Sequence, residues 1–280
     1  MVMNGKKVKD PTKYPWIVSF IEKKNPKHLF CGGVLISLKF VITAGHCVDI
    51  EEKRMDKNCA KENANEECFR PPESIYVGLL FERDSDDVQK VEVKRIVPHP
   101  KYNTLTYVHD LAVVELKQTI KCRHIAKPIC LPYKNLSKPG QTLTISGWGR
   151  YDKNPKSKQM LMEGEVQEIE EKQCAQPIDK KRNIICAIGN KTNQASCEGD
   201  SGSAIFAPKA HEYFALGVTS LGPPDCNPQN PDSYTDIYAY MSWIKSVTNN
   251  LPKSFSEAEA EKKKEKSRNG GGKGKKNEKN

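Results

Sequence analysis

Two short apolar segments, FCGGVLIS (residues 30–37) and FVITAGHC (residues 40–47), stand side by side near the start of the chain. Short apolar runs bounded by turn-forming residues are typical of β-strands. Similar segments recur as SIYVGLL (74–80), KVEVKRIV (90–97), LAVVEL (111–116), LTISGWG (143–149), SAIFA (203–207) and YFALGVTSLG (213–222). This spacing favours an all-β sandwich or barrel over β-α-β units.

One helix is expected close to the end of the chain. Apolar residues recur there at helical spacing and stop before Pro252: Ile237, Met241, Ile244 and Val247. The pattern predicts one amphipathic helix that closes the globular part.

The cysteines indicate an oxidising compartment. The chain has 280 residues, enough for one large β domain or two small ones, and ten dispersed cysteines without C-x-x-C spacing or Cys/His clusters. We therefore predict disulfides and neither a metal nor a cofactor. Sequons at Asn135 and Asn190 agree with a secreted glycoprotein.

The N-terminus carries no recognisable targeting segment. Residues 1–20 lack the apolar core of a signal peptide, and the chain has no run of about 18 apolar residues that could span a membrane. We expect a mature portion, or a truncated gene model, of a secreted protein that is not transmembrane.

Half of the formal charge of +10 lies in a C-terminal tail. Residues 252–280 hold ten Lys/Arg and five Asp/Glu, a net +5. Gly, Lys and Glu dominate this segment, so it cannot bury enough apolar surface to fold. We predict a globular domain over 1–250 and a disordered tail over 251–280. The tail either has no dedicated partner or docks to an acidic surface such as a glycosaminoglycan or an anionic lipid; nucleic acid is not expected.

Two polar segments are predicted to be surface loops. Residues 48–74 are charged and turn-rich, and a disulfide between Cys59 and Cys68 would pin them. Residues 81–89 are acidic, and a solvated loop is favoured there over a calcium site. The carboxylates in question are Glu82, Asp84, Asp86 and Asp87.

Three residues have the types that amide hydrolysis by a serine requires. Ser201 lies in CEGDSGSA (197–204), between Gly199 and Gly202, which permit a tight turn with an exposed hydroxyl. His46 lies in ITAGHC (42–47), and Asp110 precedes the apolar strand of HDLAVVEL (109–116). Such a set supplies a nucleophile, a base and a group that orients the base.

The order His, Asp, Ser is that of the chymotrypsin family. Residues 2 to about 249 resemble this trypsin/chymotrypsin family of serine peptidases over their full length. The matching pieces are VMNG (2–5), YPWIVSF (14–20), CGGVLIS (31–37), ITAGHC, HPKYN (99–103), HDLAVVEL, ICLP (129–132), SGWG (146–149), CEGDSGSA, GVTSLG (217–222) and SYTDIYAYMSWI (233–244).

The resemblance implies two packed six-stranded antiparallel β-barrels with a C-terminal helix. The first barrel would end at about residue 112 and the second would run from about 120 to 238. His46, Asp110 and Ser201 would form a catalytic triad in the cleft, and the amides of Gly199 and Ser201 would form the oxyanion hole. Ser220 would hydrogen-bond Asp110 and pair with the substrate backbone.

Three disulfides are implied by the resemblance: Cys31 with Cys47, Cys174 with Cys186, and Cys197 with Cys226. Cys59 and Cys68 are then left to pair locally. Cys122 and Cys130 either pair with each other, or Cys130 matches a position that some relatives tether to a propeptide.

The resemblance also implies activation by cleavage before Val2. The freed ammonium would pair with buried Asp200 and order the oxyanion hole. A chain that retains Met1 is predicted to be zymogen-like and nearly inactive, because the buried pair forms only when both charges are present.

The specificity pocket departs from a trypsin at two positions. Ala195, six residues before Ser201, falls at its base, and Gly222 leaves its mouth open. Asp232 falls where many relatives have a wall glycine. Pointing inward, Asp232 would favour Lys or Arg at P1 together with large apolar residues; pointing to solvent, it would leave a pocket for Phe, Tyr, Leu or Met. A shift of one residue in the strand that carries Asp232 would turn its side chain from one orientation to the other.

Two functions follow from these observations. The first is a secreted serine endopeptidase that acts on proteins or peptides through an acyl-enzyme, with a basic or mixed P1 preference, and that protein inhibitors could block. The alternative is an inactive peptidase homologue that acts as a binding or regulatory protein. An intact set of His46, Asp110 and Ser201 favours the enzyme.

Overall fold

The computed structural model describes residues 2–26, 28–79, 88–121, 126–149, 161–174, 183–249, 251–254, 256–258 and 260–262. The acidic residues of 82–87, Cys122 and residues 263–280 lie outside the described residues. Predictions about them therefore stay predictions.

The first barrel contains the two segments on which the sequence analysis opened. A two-residue strand, β1 (Lys6–Lys7), precedes it. Its six strands are β2 (Ile17–Glu22), β3 (Leu29–Leu35), β4 (Phe40–Thr43), β5 (Ile75–Leu79), β6 (Gln89–Pro98) and β7 (Ala112–Leu116). They close in the order β2-β3-β4-β7-β6-β5. Their β-branched and aromatic side chains fill the interior, where Val18, Phe20 and Ile42 are fully buried.

The second barrel has the same number of strands. They are β8 (Thr142–Gly147), β9 (Met162–Ile169), β10 (Ile184–Ile188), β11 (Ala204–Lys209), β12 (Glu212–Leu221) and β13 (Asp232–Asp236). Because β9 pairs with both β8 and β10, the sheet closes in the order β8-β9-β10-β13-β12-β11. Strand β1 pairs with Met162 and Glu163 at the start of β9.

Two six-stranded antiparallel barrels are thus confirmed, with small corrections to their limits. Strand β7 continues to Leu116, so the first barrel ends beyond residue 112. The second barrel starts only at Thr142, because the residues described between the two barrels form no named strand.

The barrels meet at a close backbone contact beneath the predicted nucleophile. The N–H of Gly32 in β3 donates to the carbonyl of Ser201 at 2.8 Å. A Cβ on Gly32 would lie 2.0 Å from Ser203 Oγ, so glycine gives the room for this approach. The contact fixes the Ser201 turn against the first barrel.

The predicted C-terminal helix is present but short. A 3₁₀ turn, Tyr238–Tyr240, leads into α1 (Met241–Val247). Ile237 and Ile244 are fully buried, while Met241 and Val247 are half-buried against the first hydrophobic cluster.

Ordered contacts continue past the predicted domain boundary at residue 250. Ser254 is buried, and the N–H of Ser256 donates to Glu212 Oε2 at 3.1 Å. Ser256 therefore contacts the second barrel, and the disordered tail over 251–280 stays a prediction.

Four disulfides join the described cysteines in the pairs that were expected. They are Cys31–Cys47, Cys59–Cys68, Cys174–Cys186 and Cys197–Cys226. Cys130 is bonded to no described cysteine, and its Sγ donates to Glu212 Oε1 at 3.4 Å.

Candidate active site

The candidate site takes residues from both barrels. His46 lies in a 3₁₀ turn, Gly45–Cys47, directly after β4, and the disulfide from Cys47 to Cys31 ties this turn to β3. Asp110 precedes β7. Ser201 lies in the turn before β11, and Ser220 lies within β12.

Asp110 holds the His46 turn through two contacts. Its Oδ1 accepts the backbone N–H of His46 at 2.8 Å, and its Oδ2 lies 2.7 Å from His46 Nδ1. A carboxylate only accepts, so Nδ1 carries the proton and Nε2 is left as the acceptor. These two contacts fix the orientation of the His46 imidazole.

The second barrel also supports Asp110. Ser220 Oγ donates to Asp110 Oδ2 at 2.6 Å, and Thr235 Oγ1 donates to the Asp110 carbonyl at 2.9 Å. Asp110 is only 1% exposed. Its carboxylate is thus fully satisfied inside the interface between the barrels.

Contact between Asp110 and His46 shifts the pKa of both side chains. Burial alone would lower the pKa of His46, but the Asp110 carboxylate outweighs burial and raises it above its usual value. Burial would raise the pKa of Asp110, yet the charge and hydrogen bonds of His46 and the bond from Ser220 hold it below its usual value. Asp110 therefore stays ionised while His46 titrates.

Backbone contacts on both sides hold the Ser201 turn. Gly202 has a φ of +78° and donates its N–H to the carbonyl of Thr219 at 3.0 Å. A Cβ at Gly202 would lie 2.2 Å from Thr43 Oγ1 in the strand that leads to His46. Asp200 fixes the preceding residues, because it accepts the N–H groups of Gly149 (2.9 Å) and Cys197 (3.0 Å).

The turn leaves two amide donors for a ligand. Among hydrogen bonds between described residues, the N–H groups of Gly199 and Ser201 reach no protein acceptor, and Gly199 has a φ of +88°. Within the same part of the chain no hydrogen bond joins Ser201 Oγ to His46. Such bonds often tighten only when substrate binds.

Asp232 is buried behind Ala195 and Gly222. The residue is 3% exposed, and Oδ2 accepts the N–H of Ser196 at 3.1 Å and the hydroxyl of Tyr234 at 3.3 Å. Oδ1 has no hydrogen-bond partner among the described residues and would lie 2.4 Å from a Cβ on Gly222. This oxygen therefore faces the residue expected at the pocket mouth.

Burial also decides the charge of Asp232. Removal from water raises the pKa of Asp232 to about 7, against the hydrogen bonds from Ser196 and Tyr234, which favour the ionised form. Sequence analysis had not selected Ser196 or Tyr234. The signal was present for Tyr234, because residues i and i+2 of a strand share a face.

The N-terminal segment lies against the same pocket. Val2 is fully buried among the side chains of the second barrel, and the N–H of Met3 donates to the carbonyl of Ala195 at 2.8 Å. A Cβ on Gly164 would lie 2.6 Å from Val2 Cγ1. Met1 lies outside the described residues.

One group of possible metal ligands occurs in the described part of the chain. It consists of Cys31, His46 and Cys47, but the two sulfurs are joined in a disulfide. Since the thiolate is the form that binds metal, this group does not offer a metal site.

Comparison with known proteins identifies the family. A family model described as Trypsin matches residues 3–244. The chain belongs to the trypsin family. This trypsin-family chain is 29% identical over 248 residues to Granzyme B(G,H) of Mus musculus, covering 87% of the chain and 90% of that relative. It is 28% identical over 263 residues to the phenoloxidase-activating enzyme of Bombyx mori, covering 83% of the chain and 57% of the relative.

A solved structure supports the same fold for this trypsin-family chain. Neuropsin, a serine protease expressed in the limbic system of mouse brain, superimposes with a TM-score of 0.69 at 25% identity. The match covers 88% of this chain and all of neuropsin. None of the helices among the described residues has the length and apolar character needed to cross a membrane.

Proposed function

We propose that this trypsin-family chain is a secreted serine endopeptidase with His46, Asp110 and Ser201 as its catalytic triad. The network from Ser220 through Asp110 to His46, beside the Ser201 turn, carries the proposal. Four disulfides among the described residues support an oxidising compartment.

The reaction follows from the position of each group. His46 Nε2 takes the proton of Ser201 as Oγ attacks the peptide carbonyl, and then delivers it to the leaving amine. Asp110 stabilises the imidazolium that forms in between. The N–H groups of Gly199 and Ser201 bind the oxyanion, and water then hydrolyses the acyl-enzyme by the same proton route.

The proposed P1 preference is basic, or mixed basic and large apolar. Asp232 Oδ1 is an acceptor without a hydrogen-bond partner in the described part of the chain, and a buried carboxylate without a cation attracts one strongly. Ala195 adds an apolar base, and Gly222 keeps the mouth wide. The pocket would thus accept Lys and Arg with less discrimination than one whose acid lies at its base.

Hydrolysis of a tetrapeptide library that varies only at P1 tests this function. The protein must have a verified Val2 N-terminus. We expect cleavage after Lys and Arg, with slower cleavage after large apolar residues. Cleavage after apolar residues alone would contradict the role of Asp232, and no cleavage at all would favour the inactive homologue.

Activity is expected to depend on a free amine at Val2. Val2 is fully buried in the second barrel, and its amine is the group proposed to pair with Asp200. A chain that retains Met1 should have kcat/KM about 10²-fold lower, because its free amine lies one residue away from the position that would pair with Asp200. Mass spectrometry of both forms and kinetics on one substrate would measure this.

A matched variant makes this comparison specific. Replacement Asp200→Asn should remove the advantage of the free Val2 amine, because no buried anion is left to pair with it. Equal activity of the Met1 and Val2 forms of the unaltered chain would show that the proposed activation pair is not required.

The surface of the protein carries two proposed glycosylation sites. Asn135 and Asn190 are both exposed, as glycosylation requires. Proteins or peptides are the proposed substrates, and protein inhibitors would occupy the same cleft. Docking of the Lys-rich tail to an acidic surface stays a prediction.

A further inference from the structure

A second charged pair lies behind His46, in the loop of residues 48–74. The Asp49 side chain is completely buried, and Arg54 clamps it. Arg54 Nε lies 3.0 and 3.1 Å from the two carboxylate oxygens, and Nη2 lies 2.9 Å from Oδ1. This geometry is the bidentate one in which an arginine binds a carboxylate most specifically.

The pair is bonded directly to the turn that carries His46. Arg54 Nη2 also donates to the backbone carbonyl of His46 at 3.0 Å, and the N–H of Asp49 donates to the carbonyl of Gly45 at 3.1 Å. Backbone groups on both His46 and the preceding residue are therefore held by the pair.

Tyr102 closes the network from the other side. Its hydroxyl donates to Asp49 Oδ2 at 2.7 Å. Its ring packs so tightly on Gly45 that a Cβ there would lie 2.9 Å from ring carbons. The glycine at position 45 thus makes room for the tyrosine that satisfies Asp49.

Arg54 also reaches the imidazole side of His46 through Tyr107. The guanidinium carbon lies 5.8 Å from the centre of the Tyr107 ring, and that ring meets the His46 ring edge-on at 5.6 Å. Such contacts favour a cation over the face of the ring. The loop is therefore packed on His46 through both backbone and side chain.

Asp49 and Arg54 shift the pKa of His46 in opposite directions. The charged or titratable groups that face His46 are Asp110, Asp49, Arg54 and Tyr107. Asp110 and then Asp49 raise the pKa of His46, whereas Arg54 lowers it. Asp49 has its own pKa raised by burial, against the hydrogen bonds from Arg54 and Tyr102.

We propose that Asp49 and Arg54 are positioning residues of the active site: Arg54 fixes the turn that carries His46, and the opposite charges balance the electrostatic field on its imidazole. The loop of residues 48–74 is then part of the catalytic apparatus. Its importance for turnover rests on the proposed role of His46 as the base.

Titration of His46 by NMR tests the pair without requiring turnover. The protein is labelled at the histidine ring carbons, and the His46 resonance is assigned by its loss in His46→Ala. The replacement Arg54→Gln should raise the pKa of His46, and Asp49→Asn should lower it. The double variant should titrate close to the unaltered protein, since both charges are gone.

Arg70 offers a matched control in the same loop. It is 28% exposed, against 24% for Arg54, and it forms an ion pair with Glu22 at 3.3 Å. Its side chain makes no contact with His46 among the described residues. Arg70→Gln should leave the titration of His46 unchanged, and thermal unfolding of every variant would confirm that it is folded.

Kinetics on a substrate with an apolar P1 residue give the functional consequence. The quantity compared is the ratio of kcat/KM at pH 6 to that at pH 9. It should fall roughly threefold in Arg54→Gln and rise roughly threefold in Asp49→Asn, because the base must be neutral.

The outcomes separate this inference from the proposed function. Opposite shifts in the NMR titration support the balanced pair even if no substrate is cleaved, in which case only the proposed function fails. If the pKa of His46 shifts in the same direction in both folded variants, or does not shift, the inference is overturned. Cleavage of a substrate in that case would still support the proposed function.

Discussion

Replacement of Ser201 with alanine is expected to lower kcat by roughly 10⁵- to 10⁶-fold, the loss typical when one member of a catalytic serine unit is removed. Without Oγ no acyl-enzyme can form, even though His46 and Asp110 keep their geometry. Covalent labelling by a fluorophosphonate probe should disappear as well. Labelling followed by intact mass spectrometry, together with hydrolysis of the best library substrate, measures both effects.

Ser203 provides the control for this experiment. It lies two residues further along the same turn, is buried, and its Oγ has no hydrogen-bond partner among the described residues. Ser203→Ala removes an unpaired hydroxyl and should keep labelling intact. Undiminished labelling of the Ser201→Ala protein would place the nucleophile elsewhere.

Replacement of Asp232 with asparagine is expected to have a large effect that depends on the P1 residue of the substrate. The kcat/KM for substrates with Lys or Arg at P1 should fall about 10²-fold, since a buried charge pair with the substrate is lost. Asparagine has the same shape and can still accept from the N–H of Ser196. Substrates with Phe or Leu at P1 should therefore change little, which a kinetic comparison of the two substrate sets would show.

The effect of Asp232 should also depend on pH. Because its pKa is raised to about 7, the carboxyl is neutral below that pH and charged above it. The ratio of kcat/KM for an Arg substrate to that for a Phe substrate should rise as pH increases through about 7. His46 affects both substrates equally and cancels in the ratio. A ratio that is the same at pH 6 and pH 8, or that still rises in Asp232→Asn, would contradict this assignment.

The barrels were predictable because short apolar segments mark their strands, whereas the resemblance to the trypsin family implied three of the disulfides. ITAGHC, HDLAVVEL and CEGDSGSA each place a residue with a proposed chemical role beside a strand. The orientation of Asp232 was not predictable in this way. It depends on the pairing of β13 with β10, which places Asp232 opposite Ala187. The sequence of one strand alone does not show how it pairs with a strand that is distant in the chain.

The Asp49–Arg54 pair was missed for a different reason. Residues 48–74 have no apolar periodicity, so the sequence predicted only a charged surface loop. Burial of Asp49 arises from Tyr102, more than fifty residues later in the chain. The helix was placed correctly, but its first turn is 3₁₀, a distinction that the spacing of Ile237 and Met241 cannot make.

The division of the site between two barrels has a consequence for biosynthesis. His46 and Asp110 belong to the first barrel, whereas Ser201 and Ser220 belong to the second. Ribosomes add about 5–20 residues per second, so Ser201 is added roughly 5 to 20 seconds after Asp110. During that interval the nascent chain carries the proposed base without the proposed nucleophile. By the proposed mechanism the growing polypeptide therefore cannot cleave itself or its chaperones until Ser201 has been added.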